Sequence, residues 1–418
     1  MVLLLLYRFV TFLAAPFVAL ALMLRGDGFR TVGHRLGFVP SKARATLWFH
    51  AASVGEFRAL QPLIEMDWDR DVVVTLQSRQ GLAVARQDLA PHLTVLPAPL
   101  DAPFTTSAFV HRMKPAALVL VESELWPGWM ATLNSRRIPA VLLDGAVSET
   151  SARRWGQLTG LAHPIGDALA QVTTSSQAKK RALDAVGFGP ATLALPLKLA
   201  GEALPVDASL HRQWVEWRGT APLVILANAH RSEIDALKAL IGDADPAAKF
   251  IIAPRHPDQI NAFQRAFGAA DEQLAYWTSF GTLGSLYALG GTVVMGGGFD
   301  DEIGSHNPLE ALRAGCAVVR GPHAGKQADV ITLLEQHGMI TVAPGWPKTT
   351  TDIEELDQLA RTALQQARWT IVTALKCREP WPSDGGLGFS SRQEGFTGGL
   401  RVPSGAATTS TAPSIKCS

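Results

Sequence analysis

The sequence predicts an α/β protein of two domains, each carrying a parallel sheet, behind an apolar N-terminal helix. Three observations lead there. Strand-length apolar runs alternate with helix-length amphipathic stretches from Leu47 to Thr174, the rhythm of a parallel sheet covered by helices. Prolines and a glycine interrupt the pattern between Leu193 and Pro205, and it restarts at Leu223. A chain of 418 residues also exceeds what one core usually organises, so two domains of roughly 150 to 200 residues are expected.

The chain begins with an apolar stretch, Met1 to Leu24, interrupted only by Tyr7, Arg8, Thr11 and Pro16. One helix of that length crosses or nearly crosses a bilayer. Arg25, Arg30, Arg35, Lys42 and Arg44 follow, opposed by Asp27 alone, and such an excess of positive charge keeps the downstream chain on the cytoplasmic side. No small-x-small cleavage site follows Leu24. Residues 1–25 are therefore expected to remain as a single anchor, or as a helix lying in the membrane interface.

Residues 26–197 form the first predicted domain, with strands at Leu47 to Phe49, Asp71 to Leu76, Leu93 to Pro97, Ala117 to Val121, Ala140 to Asp144 and Ala170 to Thr174. The second, residues 198–378, has strands at Leu223 to Ala227, Phe250 to Ala253, Thr292 to Met295 and Ala317 to Val319. Two such domains make a cleft between them, a usual place for a ligand. From about Glu379 the chain turns to Gly, Ser, Thr and Pro without periodicity, and residues 379–418 are expected to be disordered.

With 38 basic against 37 acidic residues, nothing global favours nucleic acid as a partner. Cys316, Cys377 and Cys417 have neither metal-ligand spacing nor a disulfide framework, which fits a reducing compartment. No metal-ligating cluster is visible in the sequence, and neither a metal nor a cofactor is expected.

The first domain is arranged around Trp48 to Glu56. Its apolar run ends at Ala51-Ala52 and passes into Ser53-Val54-Gly55-Glu56, a strand delivering the chain into a helix N-terminus. Ligands of parallel sheets sit beyond the carboxyl ends of the strands, which puts Ser53, Gly55 and Glu56 at a cleft. The same spacing makes Ser53 an N-cap and Glu56 its capping-box partner, so a structural role stands beside the functional one. Glu122 and Glu124 follow the fourth strand with period-two spacing and should point one way, to hold substrate hydroxyls or act as bases. Trp126 and Trp129 beside them suit a sugar ring or the core.

In the second domain Gly296-Gly297-Gly298 follow a strand, and Asn307-Pro308-Leu309-Glu310 reads as the N-cap, N1 and N3 of a helix starting at Pro308. Glycines ahead of a helix N-terminus let backbone N–H groups approach a phosphate, although a well-capped helix after a flexible loop has the same sequence. Glu310 fits a capping carboxylate or an acceptor for ribose hydroxyls. Arg255 and His256, in Pro254-Arg255-His256-Pro257, stand at a strand end, where a guanidinium suits a phosphate, a carboxylate or a surface ion pair. Lys198, between the domains, is a further candidate for an anion, and His230 for capping the site.

Phe49-His50-Ala51-Ala52-Ser53-Val54-Gly55-Glu56, Glu122-Ser123-Glu124-Leu125-Trp126-Pro127, Ser148 to Arg154, Pro254-Arg255-His256-Pro257, Ser305-His306-Asn307-Pro308-Leu309-Glu310 and Gly321-Pro322-His323 occur in this order. Together, over residues 1–375, they resemble the motifs of the 3-deoxy-D-manno-octulosonic acid (Kdo) transferases. The resemblance implies a glycosyltransferase of the GT-B type: two Rossmann-like domains with parallel sheets facing a cleft, anchored on the inner face of the inner membrane. It implies transfer of Kdo from CMP-Kdo to the lipid A precursor (lipid IVA), with inversion at the anomeric carbon and Glu56 as general base. Arg255, His306, Asn307 and Glu310 would then lie in the domain that holds CMP.

The chain departs from the family pattern mainly on the donor side. Leu195-Pro196-Leu197-Lys198 stands where Gly-Asn-Leu-Lys is usual, and Ala229-His230-Arg231-Ser232-Glu233 where Thr-His-x-Gly-Glu-Glu is expected. Thr278 and Thr282 replace an acidic pair before Leu283-Gly284, and Leu76-Gln77-Ser78-Arg79-Gln80-Gly81 replaces a threonine-rich loop. These changes leave two alternatives open: a related GT-B enzyme with another nucleotide sugar, and a membrane-bound binding homologue without turnover.

Overall fold

A computed structural model describes residues 2–347 and 352–376. The tail expected at 379–418 lies outside the described residues, as do Cys377 and Cys417.

Successive residues of a strand face opposite sides of its sheet, so a run that is apolar throughout needs a cover on both faces. β1 (Thr46–Ala51) is such a run and is buried at every position. Trp48 joins one core with Val73, Phe109, Leu118 and Leu142, while Leu47 and Phe49 join another with Val72, Val74, Val119 and Val141. Beside β1 lie β2 (Asp71–Leu76), β3 (Thr94–Pro97), β4 (Pro115–Val121), β5 (Ala140–Leu143), β6 (Leu169–Thr174) and β7 (Thr192–Leu193). The order is β3-β2-β1-β4-β5-β6-β7, with every pair parallel. Strand order reverses between β1 and β4, and a reversal of this kind opens a crevice beyond the carboxyl ends of the two strands.

The second sheet repeats the plan. It contains β8 (Leu223–Ala229), β9 (Lys249–Pro254), β10 (Leu274–Tyr276), β11 (Thr292–Met295), β12 (Ala317–Arg320) and β13 (Ile340–Val342). The order is β10-β9-β8-β11-β12-β13, again all parallel, so its switch point lies between β8 and β11. Leu223, Ile225 and Ala227 face one core, Val224 and Leu226 the other. Strands β7, β10 and β13 are absent from the expectation because two or three residues are too few to show a period.

Two helices pack in ways that periodicity does not foretell, and one of them links the halves. In the helix Ile353–Lys376, Leu356 packs into the core of the second sheet, while Ala367, Ile371 and Ala374 pack into the core of the first. The Leu195 N–H donates to the Gln366 side chain at 2.8 Å. Full burial of Ile371 alone contributes ~2 kcal/mol to holding this helix across the join. At the other end, the 23-residue helix Val2–Leu24, mean hydropathy 2.1, is long and apolar enough to cross a membrane. It lies along the first domain: Ala15 and Ala19 are buried, Phe12 packs edge-on against Phe104, and the Tyr7 hydroxyl donates to Asp101 at 2.6 Å. Val2, Leu5, Phe9, Phe17 and Leu24 remain exposed on it.

Candidate active site

β1 hands over to the helix Val54–Ile64 through Ser53, whose Oγ accepts from the Glu56 backbone N–H at 3.2 Å. The Glu56 carboxylate accepts in return from the Ala52 N–H at 2.7 Å and from the Ser53 hydroxyl at 3.3 Å. The capping role is therefore met, yet a carboxylate has about four acceptor positions, so these bonds leave capacity over. Burial pushes the pKa of Glu56 up against the pull of the Ala52 N–H, and the nearby carboxylates of Glu124 and Glu122 push it further. Gly55 is exposed, and a Cβ there would meet nothing nearer than Ser53 Oγ at 3.9 Å. The packing of the protein itself gives no reason for a glycine at this position.

Glu122 and Glu124 do not share a strand face. β4 ends at Val121 and Glu122 turns to φ 59°, so the two side chains separate. Glu122 pairs with Lys198 at 2.7 Å. Lys198 is thus engaged by the acidic group of the first sheet and is no uncommitted cation in the cleft. Glu124 accepts from Trp126 Nε1 at 3.1 Å and lies 3.7 Å from His50 Nε2. Trp129 is core, packed on Trp48 and His50. Asp144, after β5, was not singled out from sequence. It accepts from the Leu197 N–H at 2.6 Å, and burial pushes it up to about 6.

At the second switch point His230, after β8, meets His306 in the loop after β11. Their Nε2 atoms are 2.8 Å apart, with ring planes 8° apart and centroids 5.1 Å apart, so the rings lie end to end. One nitrogen donates and the other accepts, so the pair holds one hydrogen between them. Burial lowers both pKa values, that of His306 to about 4, and the charge of Arg255 lowers them further. The His256 ring stands 5.7 Å from that of His230. Arg255 is exposed, and among the described residues no hydrogen bond or ion pair engages its guanidinium. Burial raises Glu310, which Asn307 and Arg255 pull back down.

Two expectations on this side need correction. The helix runs only from Leu309 to Arg313, with Asn307 Oδ1 accepting from the Leu309 N–H at 3.2 Å. A five-residue helix sums few peptide dipoles, so positive potential here comes from Arg255 more than from a helix end. The glycines have a packing reason too. Gly297 sits at φ +84°, where a Cβ would run into the Gly304 carbonyl, and a Cβ on Gly298 would lie 3.0 Å from the Gly321 N. Fully buried Glu233, missed as a partner, accepts from the His230 N–H at 2.9 Å and the Phe299 N–H at 3.0 Å, tying the two loops together. Its signal was the capping-box spacing from His230.

The fold therefore gathers Ser53, Gly55, Glu56, Glu122, Glu124 and Lys198 at one switch point. It gathers His230, Arg255, His256, Gly297, Gly298, His306, Asn307 and Glu310 at the other. Among the described residues no hydrogen bond or ion pair joins the two groups.

Residues 30–200 match the family model described as 3-deoxy-D-manno-octulosonic-acid transferase (kdotransferase). A mitochondrial protein of Arabidopsis thaliana, a probable 3-deoxy-D-manno-octulosonic acid transferase, is 27% identical over 385 residues, covering 81% of this chain and 83% of its own. The chain is similar to the Kdo transferases over most of its length. The Kdo transferase of Bordetella pertussis is 28% identical over 319 residues, 68% of this chain and 73% of its own. This similarity indicates a glycosyltransferase. Among solved structures, a UDP-N-acetylglucosamine 2-epimerase superposes with a TM-score of 0.51 at 10% identity, covering 84% of this chain and all of that one. That similarity speaks for the fold alone, the two-domain GT-B arrangement of parallel sheets.

Proposed function

We propose that the protein transfers Kdo from CMP-Kdo to the lipid A precursor, lipid IVA, with inversion, Glu56 acting as general base and no metal taking part. The observation that carries this is the state of Glu56. It is a half-buried carboxylate at the first switch point whose pKa is raised by burial and by two acidic neighbours, with open space over Gly55 beside it. A general base works best when its pKa approaches the working pH, which is the direction of these effects.

In the proposed reaction an acceptor hydroxyl attacks the anomeric carbon from the face opposite CMP, and its proton passes to Glu56. The bond to the CMP phosphate oxygen breaks, and its electron pair leaves with the phosphate. Arg255, uncommitted among the described residues, suits the charge that develops there, and His230, His256, His306, Asn307, Gly297, Gly298 and Glu310 surround it as the donor site. Ser53, Gly55, Glu122, Glu124 and Lys198 belong to the acceptor and sugar side. Apart from Lys198, which pairs with Glu122, residues 26–197 serve the acceptor and residues 198–378 the CMP-sugar on this division. The docked helix Val2–Leu24, with its exposed apolar face and the arginines after it, suits a single anchor in the interface at the cytoplasmic face of the inner membrane.

The test is incubation of the detergent-solubilised protein with CMP-Kdo and a tetraacylated lipid A precursor, following CMP release and acceptor mass. A Kdo-sized mass increase that disappears in Glu56→Ala supports the proposal. No transfer by folded protein sinks it.

A further inference from the structure

Behind Glu124, away from the cleft, lies a polar chain in the middle of the first domain's core. His50 is fully buried on β1, between Thr75 of β2 on one side and Glu124 on the other. Trp48 Nε1 donates to Thr75 Oγ1 at 2.8 Å. The Thr75 hydroxyl has its own hydrogen to place: the Phe49 carbonyl is 3.4 Å away and His50 Nδ1 is 2.9 Å away. The nearer acceptor wins on hydrogen-bond geometry. His50 Nδ1 then accepts, which leaves the ring hydrogen on Nε2, the nitrogen 3.7 Å from Glu124 Oε2. Among the described residues no hydrogen bond satisfies that buried Nε2. The opposite tautomer, with Nδ1–H donating to the Thr75 carbonyl at 3.2 Å, would turn a lone pair toward the carboxylate.

We infer that His50 is a positioning residue for the base: held in its Nε2–H tautomer by Thr75, it keeps Glu124 ionised beside Glu56, and so keeps Glu56 basic. The inference rests on the reading of Glu56 as general base. The separation of 3.7 Å is longer than a hydrogen bond, as is common before substrate closes a site, and substrate is expected to draw Glu124 onto His50. The charged and titratable groups acting on the chain come from several elements. Glu124 and, more weakly, Arg35 act on His50, and Glu124 and Glu122 act on Glu56. His50 is the main influence holding Glu124 below its ordinary range, and the charge of Glu124 then raises Glu56.

The test is the pH profile of kcat/KM for His50→Leu, His50→Gln and Thr75→Val beside the wild type. The acid limb reports ionisation of Glu56. With Glu124 no longer held ionised, Glu56 loses its negative neighbour, so the limb moves to lower pH and the plateau of kcat falls about tenfold. Glutamine restores both because its amide can donate where Nε2–H did. Thr75→Val, nearly isosteric, gives the same shift as leucine by freeing the ring to flip its hydrogen to Nδ1. Glu124→Gln shows the same shift, and His50→Leu adds nothing to it in the double variant. An acid limb unmoved in Thr75→Val and His50→Leu, with Glu56→Ala inactive, overturns the role of His50 and leaves the base intact. Activity retained in Glu56→Ala removes the base itself, and the inference falls with it. Should His50→Leu fail to fold, Thr75→Val and His50→Gln decide between the same outcomes.

Discussion

The two switch points are made of the same parts, yet they are opposite in charge. After β1 and β4 stand Glu56, Glu122 and Glu124, with Lys198 already taken by Glu122. After β8, β9 and β11 stand His230, Arg255 and His306, with the guanidinium of Arg255 unengaged among the described residues. At the first edge burial, then neighbouring carboxylates, raise the pKa of Glu56, and at the second burial, with the charge of Arg255 adding to it, lowers those of the imidazoles. One topology thus presents an acidic edge and a basic edge by what each loop carries, the contrast on which the proposed division into proton acceptor and anion site rests.

The comparison breaks first at Glu56. Glu56→Ala should lower kcat by about 10²- to 10⁴-fold with little effect on binding of CMP, as removal of a general base does. A decrease of less than threefold in the transfer assay would assign the proton to another group. At the opposite edge Arg255→Ala should lower kcat/KM for the donor by about 10²-fold, the scale of losing one charge-stabilising group. Titration with CMP alone should show the weaker binding that Glu56→Ala does not.

The glycines sharpen the contrast. Gly297→Ala forces a side chain into a left-handed backbone and against the Gly304 carbonyl, and should cost ~3 kcal/mol in denaturant unfolding. Gly55→Ala meets open space in a helix and should gain ~0.5–1 kcal/mol of stability. If an acceptor needs that space, the same variant loses activity while its Tm rises. A more stable and fully active Gly55→Ala would show that substrate does not approach there.

The last prediction concerns pH. His306 has a folded pKa of about 4 against an ordinary 6.5. Below 6.5 the unfolded chain takes up the proton and the folded chain does not, so stability is lost as pH falls from 6.5 toward 4, and nothing changes above that window. His306→Gln should flatten this part of a pH–stability curve, and an unchanged slope would show that the histidine pair is not its source.

Much of the fold was readable because continuous apolar runs such as Leu47 to Phe49 and Val293 to Met295 require sheets covered on both faces. Ser53 and Glu56 were readable as a capping pair because that geometry is local. Glu122 and Glu124 were misread because a period-two argument holds only while the strand lasts, and β4 stops at Val121. Helix Ile353–Lys376 shows the same limit. Its apolar stripe announces a buried face and says nothing of which sheet receives it.

By itself the sequence determined the strand–helix alternation, the two sheets, the long apolar N-terminal helix and the motifs that carry the family resemblance. These follow from periods and spacings within a few residues of one another. Only the tertiary structure decided that Lys198 answers Glu122, that His230 and His306 share a hydrogen, and that Thr75 and Glu124 close on the two nitrogens of His50. Those partners come from strands and loops far apart in the chain, and it is parallel register and strand order, not local spacing, that sets them side by side.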